Sequence, residues 1–189
     1  MEGLRLVNPS IKYKEQAIKY IKEFIENSSQ INGTGNLDKY IDNYEWWLSR
    51  VEFKSNMIPG NVPNRVPSNT FMLVRELNNR LIGMIDIRMM LNEYLFNYVG
   101  HIGYSIRPSE RRSGYTMYQL YLGLKYCLDN NIDKVLITCN KENIGSAKTI
   151  INCGGILENE ILEEDGNLLQ RYWIDVSNSI KKLSKKYNR

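Results

Sequence analysis

The part of this chain that most restricts its fold lies in the middle. An apolar run at residues 99–106, "VGHIGYSI", meets Pro108 and the loop "SERRSG". A segment at 114–131 then returns Met117, Leu120, Tyr121, Leu124 and Leu128 to one helical face. An apolar, β-branched run follows at 134–140, "KVLITCN", with the composition of a buried strand. A strand, a crossover helix and a second strand run the two strands in the same direction, with a right-handed connection. In open sheets built from such units, ligands favour the crevice at the carboxyl ends of the strands. The loop with Arg111, Arg112, Ser113 and Gly114 sits at that end.

The rest of the pattern arranges itself around this unit. "LRLV" reads as a first strand. Ser10 precedes a helical segment in which Ile11, Ala17 or Ile18, Ile21 and Ile25 recur. A second amphipathic helix is expected over 37–51, with Trp46 and Trp47, then a loop with three prolines over 56–69. "TFMLVREL" and "RLIGMIDIRMML" flank Asn78 and Asn79 as a hairpin, with Asp86 and Arg88 on its polar side. A short helix over 143–152 ends at Gly154 and Gly155, and "ILENEIL" and "LLQRYWIDV" close a second hairpin around Asp165, Gly166 and Asn167. The fold class expected is α/β of the α+β kind, a mixed and mostly antiparallel sheet with a central parallel β-α-β unit, flanked by helices.

Composition narrows the classes of function. With 42% hydrophobic and 24% charged residues over 189 positions, the chain can bury one real core. We expect one domain over 1–176 and a basic, solvated tail over 177–189, where "IKKLSKKYNR" ends the chain. A net charge of +4 with interrupted basic clusters argues against nucleic acid as a partner. No apolar run is long enough for a membrane span or a leader, and Cys127, Cys139 and Cys153 are widely spaced and odd in number. Both point to a cytoplasmic protein with reduced thiols. Those cysteines and the sole histidine, His101, do not make a zinc set, so no metal is expected.

The opening of a helix carries unpaired N–H groups and partial positive charge, and binds phosphates readily. Gly114 lets backbone approach an anion closely. Arg111 and Arg112 bring forked donors, and Ser113 and Thr116 hydroxyls. A loop built for a phosphate or pyrophosphate fits these residues. A solvated basic loop that merely caps a helix fits them as well.

"RRSGYT", Arg111 to Thr116, resembles the Q/R-x-x-G-x-G/A signature of the GNAT N-acetyltransferases, with Thr116 where Gly or Ala is usual. "NKENIGSAKTIINCGG" resembles the family's Asn-led helix after the next strand, through Asn143 and Ser146, and the element order matches from Leu4 to about Val176. The resemblance is to a bacterial subgroup of predicted acetyltransferases without an assigned substrate. It implies acetyl-CoA as cosubstrate. Its pyrophosphate would lie on Arg111, Arg112, Ser113, Gly114, Tyr115 and Thr116, and its pantetheine arm along Tyr104 to Ile106. Asn143 and Ser146 would complete the cofactor site.

Acetyl transfer to an amine requires a base for the ammonium, a donor for the oxyanion and relief for the leaving thiolate. Where histone-type relatives carry a Glu on the strand before the loop, this chain has Gly100 and His101. His101, with an ordinary pKa suited to base work, and Glu93 in "LNEYLFN" are the candidate bases; a packed histidine and a surface glutamate are the bland readings. Many members place an acidic Tyr where this chain has Ile150. Tyr104, Tyr115 or Tyr172 could stand in. The resemblance implies that the first two helices line the acceptor site, which makes Tyr40, Tyr44 and Trp46 candidates there beside their core reading. The expected acceptor is a small-molecule or peptide amine, and the protein a monomer or homodimer. The alternative is a CoA-binding or regulatory protein of the same fold that does not turn over.

Overall fold

The structure is a computed structural model that describes residues 3–187. Its strands fall into two antiparallel sheets. The first has the order β1-β2-β3-β4, formed by Leu4–Val7, Ser68–Arg75, Arg80–Arg88 and Ile102–Ile106. The second has the order β5-β7-β6, formed by Lys134–Asn140, Leu168–Asp175 and Ile156–Leu162. The β2–β3 hairpin turns at Asn79, whose φ of 51° is one that asparagine tolerates.

Helices cover both faces of the first sheet. Helix α1 (Lys14–Glu26) and α2 (Tyr44–Ser55) press Tyr20, Phe24, Tyr44 and Trp47 onto Met72, Val74, Leu81 and Met84. The stripe that α1 buries is Tyr13, Ala17, Tyr20, Ile21 and Phe24. Ile11, Ile18 and Ile25, expected on the inner side, are exposed. The expected helix over 37–51 is broken: two 3₁₀ turns, Leu37–Lys39 and Ile41–Asn43, precede α2, which Asn43 caps by accepting the Trp46 N–H. On the other face, α3 (Tyr115–Asp129) lays Leu120, Tyr121, Leu124 and Cys127 on Ile85, Ile87 and Ile102. The same core continues into β5, β7 and α4 (Ile144–Asn152), so one hydrophobic cluster bridges the two sheets.

The expected tail needs correction. Residues Val176–Tyr187 form a helix, α5, with Val176, Ser179 and Leu183 buried and Tyr187 stacked on Tyr118 and Tyr121. Its lysines lie on the exposed side of an amphipathic helix, so the packed unit continues past residue 176. Asn188 and Arg189 lie outside the described residues.

The central unit departs from a simple parallel pair. The strand expected over 99–106 begins only at Ile102; Leu95–Val99 is a helical turn of π geometry. Residues 98–101 run back along β5: Thr138 donates to Val99 O (3.1 Å), Gly100 bridges Ile137, and the His101 N–H donates to Leu136 O (2.7 Å). The chain then reverses at Gly100 (φ 75°) and leaves as β4. Between β4 and β5 no ladder forms. The two strands meet at their amino ends and part toward their carboxyl ends.

Candidate functional site

The parting exposes an edge of known chemistry. The Arg88 N–H donates to His101 O (2.8 Å) and the Arg107 N–H to Ile82 O (2.9 Å). In an antiparallel ladder these two bonds turn residues 103, 105 and 107 toward β3. The N–H and C=O groups of Ile102, Tyr104 and Ile106 therefore face the gap. The Tyr104 ring crosses toward α4, where its hydroxyl and that of Ser146 are 2.9 Å apart. Burial raises the Tyr104 pKa and keeps the phenol protonated.

At the carboxyl end of that edge lies the arginine-glycine loop. Gly114 (φ 77°) opens α3, and the Tyr118 N–H closes onto its carbonyl (3.2 Å). Among the described residues no protein acceptor takes the N–H of Gly114, Tyr115, Thr116 or Met117, the orphan donors of a helix start. Arg112 (φ 63°) is exposed beside them, and Ser113 with it. Arg111 is occupied elsewhere: its Nε–H donates to Ile106 O (3.1 Å), a terminal N–H to Ser29 Oγ (2.7 Å), and its guanidinium lies over the Phe24 ring. It fastens the loop to the end of α1. Tyr115 also faces away from the loop, accepting a hydrogen bond from Arg75 (3.2 Å). Asn143 caps α4 through the Ser146 N–H (3.1 Å), which fixes the Ser146 hydroxyl beside Tyr104.

On the opposite side of β4 opens a cleft of about 500 Å³. Its walls are residues 31–36, α2, the chain before β2, and Asp86 and Arg88 of β3. The loop at 31–36 sits on β4 because Gly33 has no side chain: a Cβ there would fall 2.3 Å from Gly103 O. Asp86, opposite Gly103 in register, is buried. Its Oδ1 accepts the Thr70 hydroxyl (2.8 Å), and its Oδ2 lies 3.7 Å from Arg88. The polar side of β3 is thus the floor of the cleft. Tyr40 and Trp46 pack on each other and beneath Arg50, while Tyr44 and Trp47 are core.

The two bases expected from sequence occupy other ground. His101 is buried at the root of the gap, where its Nδ1 accepts the Leu136 N–H (2.9 Å) and its ring meets Trp173 edge-on. Burial, helped by the nearby Arg88 charge, lowers its pKa to about 4. Glu93 is exposed on the turn that leads into Leu95–Val99. Neither lines the cleft. Ile150, at the position of the family's Tyr, is fully buried. Of the substitute phenols, Tyr172 donates to Gln170 and Tyr115 is held by Arg75; Tyr104 belongs to the strand that borders the gap, with its hydroxyl beside Ser146. Sequence reasoning missed Arg50, Lys54 and Arg65, all cleft residues. The four-residue spacing of Arg50 and Lys54, one face of a helix, was the available signal.

A free strand edge, a helix start with unpaired N–H groups at its end and a polar cleft across the same strand together define an acyl-CoA-dependent transferase. The chain belongs to the GNAT acetyltransferases: the family model described as an acetyltransferase (GNAT) domain matches residues 20–156. As a member, it is an acyltransferase with acetyl-CoA as cosubstrate. The fold is similar to that of the microcin C7 self-immunity acetyltransferase MccE, solved with acetyl-CoA and AMP, at 17% identity, 92% coverage of each chain and a TM-score of 0.65. It is also similar to Mycobacterium smegmatis RimJ in complex with CoA-disulfide (14% identity, 97% of this chain and 88% of that one, TM-score 0.73). A chimera of the Vibrio cholerae spermidine N-acetyltransferase SpeG and hSSAT shares 16% identity over 95% of this chain and 99% of its own, with a TM-score of 0.62. At these identities the likeness concerns the fold. A comparison with curated protein sequences gave no match. Among the described residues no helix is long and apolar enough to cross a membrane, and no group of three or more His, Cys, Asp or Glu could hold a metal ion.

Proposed function

We propose that the protein transfers the acetyl group of acetyl-CoA to a primary amine by direct attack of the amine on the thioester. The observation that carries this reading is the free edge of β4, which meets the unpaired N–H groups of Gly114–Met117 at one end and, across Gly103, the cleft over Asp86. The residues present fit the donor. Those N–H groups and the Arg112 guanidinium would hold the pyrophosphate, and the Tyr104 C=O and the Ile106 N–H would pair with the pantetheine amides. Ile106 O is shared with Arg111 in this arrangement, so its N–H is the freer partner.

Acetyl-CoA supplies an activated acyl carbon and a thiol leaving group. The chain supplies the rest. Asp86 receives the incoming ammonium and takes one proton from it, leaving the nitrogen lone pair free to form the C–N bond; the nitrogen gives its second proton to solvent as the intermediate collapses. The Tyr104 N–H, on the gap side of β4, donates to the oxygen that gains charge. The Tyr104 hydroxyl gives its proton toward the departing sulfur as the C–S bond breaks, and recovers one through Ser146 and solvent. This phenol fills the role left open by Ile150, which removes the main motive for a non-catalytic CoA-binding protein.

The test is thiol release from acetyl-CoA over a panel of amines, with acetyl-CoA affinity measured by calorimetry. Asp86→Asn should lower kcat/KM by roughly 10²–10⁴-fold, the usual contribution of a positioned base, at unchanged donor affinity. Glu93→Gln and His101→Gln are assayed beside it. Collapse of either with Asp86→Asn fully active overturns the assignment of the base. Absence of acetyl-CoA binding overturns the reading as a whole.

A further inference from the structure

The cleft has a charge pattern that ordinary acetyl transfer does not need. Arg50, Lys54, Arg65 and Arg88 all line it with the exposed Lys39; its carboxylates are buried Asp86 at the floor and exposed Asp38. Arg88 faces Asp86 and also donates to Gly100 O (3.2 Å). Arg50, Lys54 and Arg65 form no ion pair among the described residues. Elsewhere the buried and half-buried arginines each reach a carboxylate: Arg75 and Arg80 share Glu110, Arg107 has Glu23, and Arg171 has Glu158. Arg50 is held in place by the rings of Tyr40 and Trp46, at 5.2 and 4.6 Å, and its buried Nε–H has no hydrogen-bond partner. Lys54 is partly desolvated; burial lowers its pKa, Asp86 works against that, and the neighbouring arginines add to the lowering. Cations crowded in a concave site repel one another and lose hydration, a cost that two carboxylates offset in part and a bound anion would offset further.

We propose that the acceptor is a small amine that also carries an anionic group, a carboxylate or a phosphate, held by Arg50, Lys54 and Arg65 while its amine meets Asp86. The cleft then reads its substrate by two opposite charges: the basic wall takes the anion, and the lone buried carboxylate takes the ammonium. Forked guanidinium donors suit both carboxylate and phosphate oxygens. The volume of about 500 Å³ suits a small molecule. A polycationic amine would meet five cationic side chains, Lys39, Arg50, Lys54, Arg65 and Arg88, against two carboxylates, Asp86 at the floor and the exposed Asp38. The inference rests on the acetyltransferase reading for its amine half; the anionic half rests on the cleft alone.

The experiment separates the two. Isotope-labelled protein is first titrated with CoA and followed by amide NMR shifts at 114–117; their absence counts against the acetyltransferase reading only. Inorganic phosphate and, separately, acetate are then titrated into the CoA-saturated protein, or into the free protein if CoA does not bind. Saturable shifts are expected at Gly33, Gly35 and Arg65, stronger for whichever anion the substrate carries. Arg65→Gln, an exposed position, and the double variant with Lys54→Gln should weaken that binding by about tenfold or more, the scale of a lost charge-assisted contact. Arg112→Gln should leave it unchanged. The proposal is overturned if neither anion gives saturable shifts in the cleft, if binding survives in the double variant while its amide spectrum remains that of the folded protein, or if Arg112→Gln alone abolishes it.

Discussion

His101 offers a sharp check on the electrostatics of the site's foundation. The imidazole is 8% exposed, and its pKa falls from an ordinary 6.5 to about 4. Protonating Nδ1 would also replace an acceptor with a donor facing the Leu136 N–H. The unfolded chain therefore binds a proton that the folded chain refuses. Above pH 6.5 the imidazole is neutral in both states and stability is complete. As pH falls through 6.5, stability drains away until the folded group itself titrates near 4. The full effect is about 3 kcal/mol, of which about 2 kcal/mol is gone at pH 5. Urea unfolding at pH 7 and pH 5 measures it directly. His101→Gln should be less stable at pH 7, because packing against Trp173 is lost, and should lack the histidine part of the decline between the two pH values. Because the chain has a single histidine, its ring protons form one assignable NMR titration. A midpoint near 6.5, or an equal pH dependence in the parent and the variant, would refute the reasoning.

Four other outcomes follow from the geometry. Gly33→Val places a Cβ 2.3 Å from Gly103 O at a φ of 71°, so thermal melts should show roughly 1–3 kcal/mol of lost stability as the 31–36 loop lifts from β4. Gly114→Asp should leave the melt close to the parent's, since aspartate tolerates a φ of 77°, while a like charge at the helix start lowers acetyl-CoA affinity by about a hundredfold in calorimetry. Arg112→Gln should weaken acetyl-CoA binding with little change in stability. Arg111→Gln should do the reverse, lowering the melting temperature through the lost contacts to Ser29, Ile106 and Phe24.

The features carried by periodicity and turn chemistry were legible in the sequence. Both hairpins, the helix after the loop, the short helix that begins near Asn143 and the family itself came from patterns of residue type. The inner stripe of α1 was misjudged because isoleucine and tyrosine compete there. The tyrosines and Phe24 are large enough to span the distance to β2 and β3, which leaves Ile11, Ile18 and Ile25 outside. The reversal at Gly100 was invisible because it depends on a positive φ and on Leu136, some 35 positions away. In the site, adjacency in the sequence misled. Arg111 and Arg112 look equivalent in a string, yet one faces back to Ser29 and the other faces solvent. The alternation of Asp86 and Arg88 was noted as polar, but the cleft they floor is completed by α2 and by residues 31–36, a meeting that only the packed chain reveals.

The gap-side edge of β4 bears on how such a protein drifts. A surface made of N–H and C=O groups is the same for nearly every residue type, so mutations along Ile102, Tyr104 and Ile106 can change their side chains without altering what the edge presents. Selection for donor recognition then acts on strand direction and on where the helix starts, and only lightly on identity. Neighbours that share 14–17% of their residues with this chain yet superpose along more than nine-tenths of it are what such selection leaves behind. The acceptor wall is the reverse case. On the proposed reading it is set largely by side chains, and substitutions at Arg50, Lys54 and Arg65 would be enough to redirect the protein to another amine while Asp86 and the donor half stay as they are.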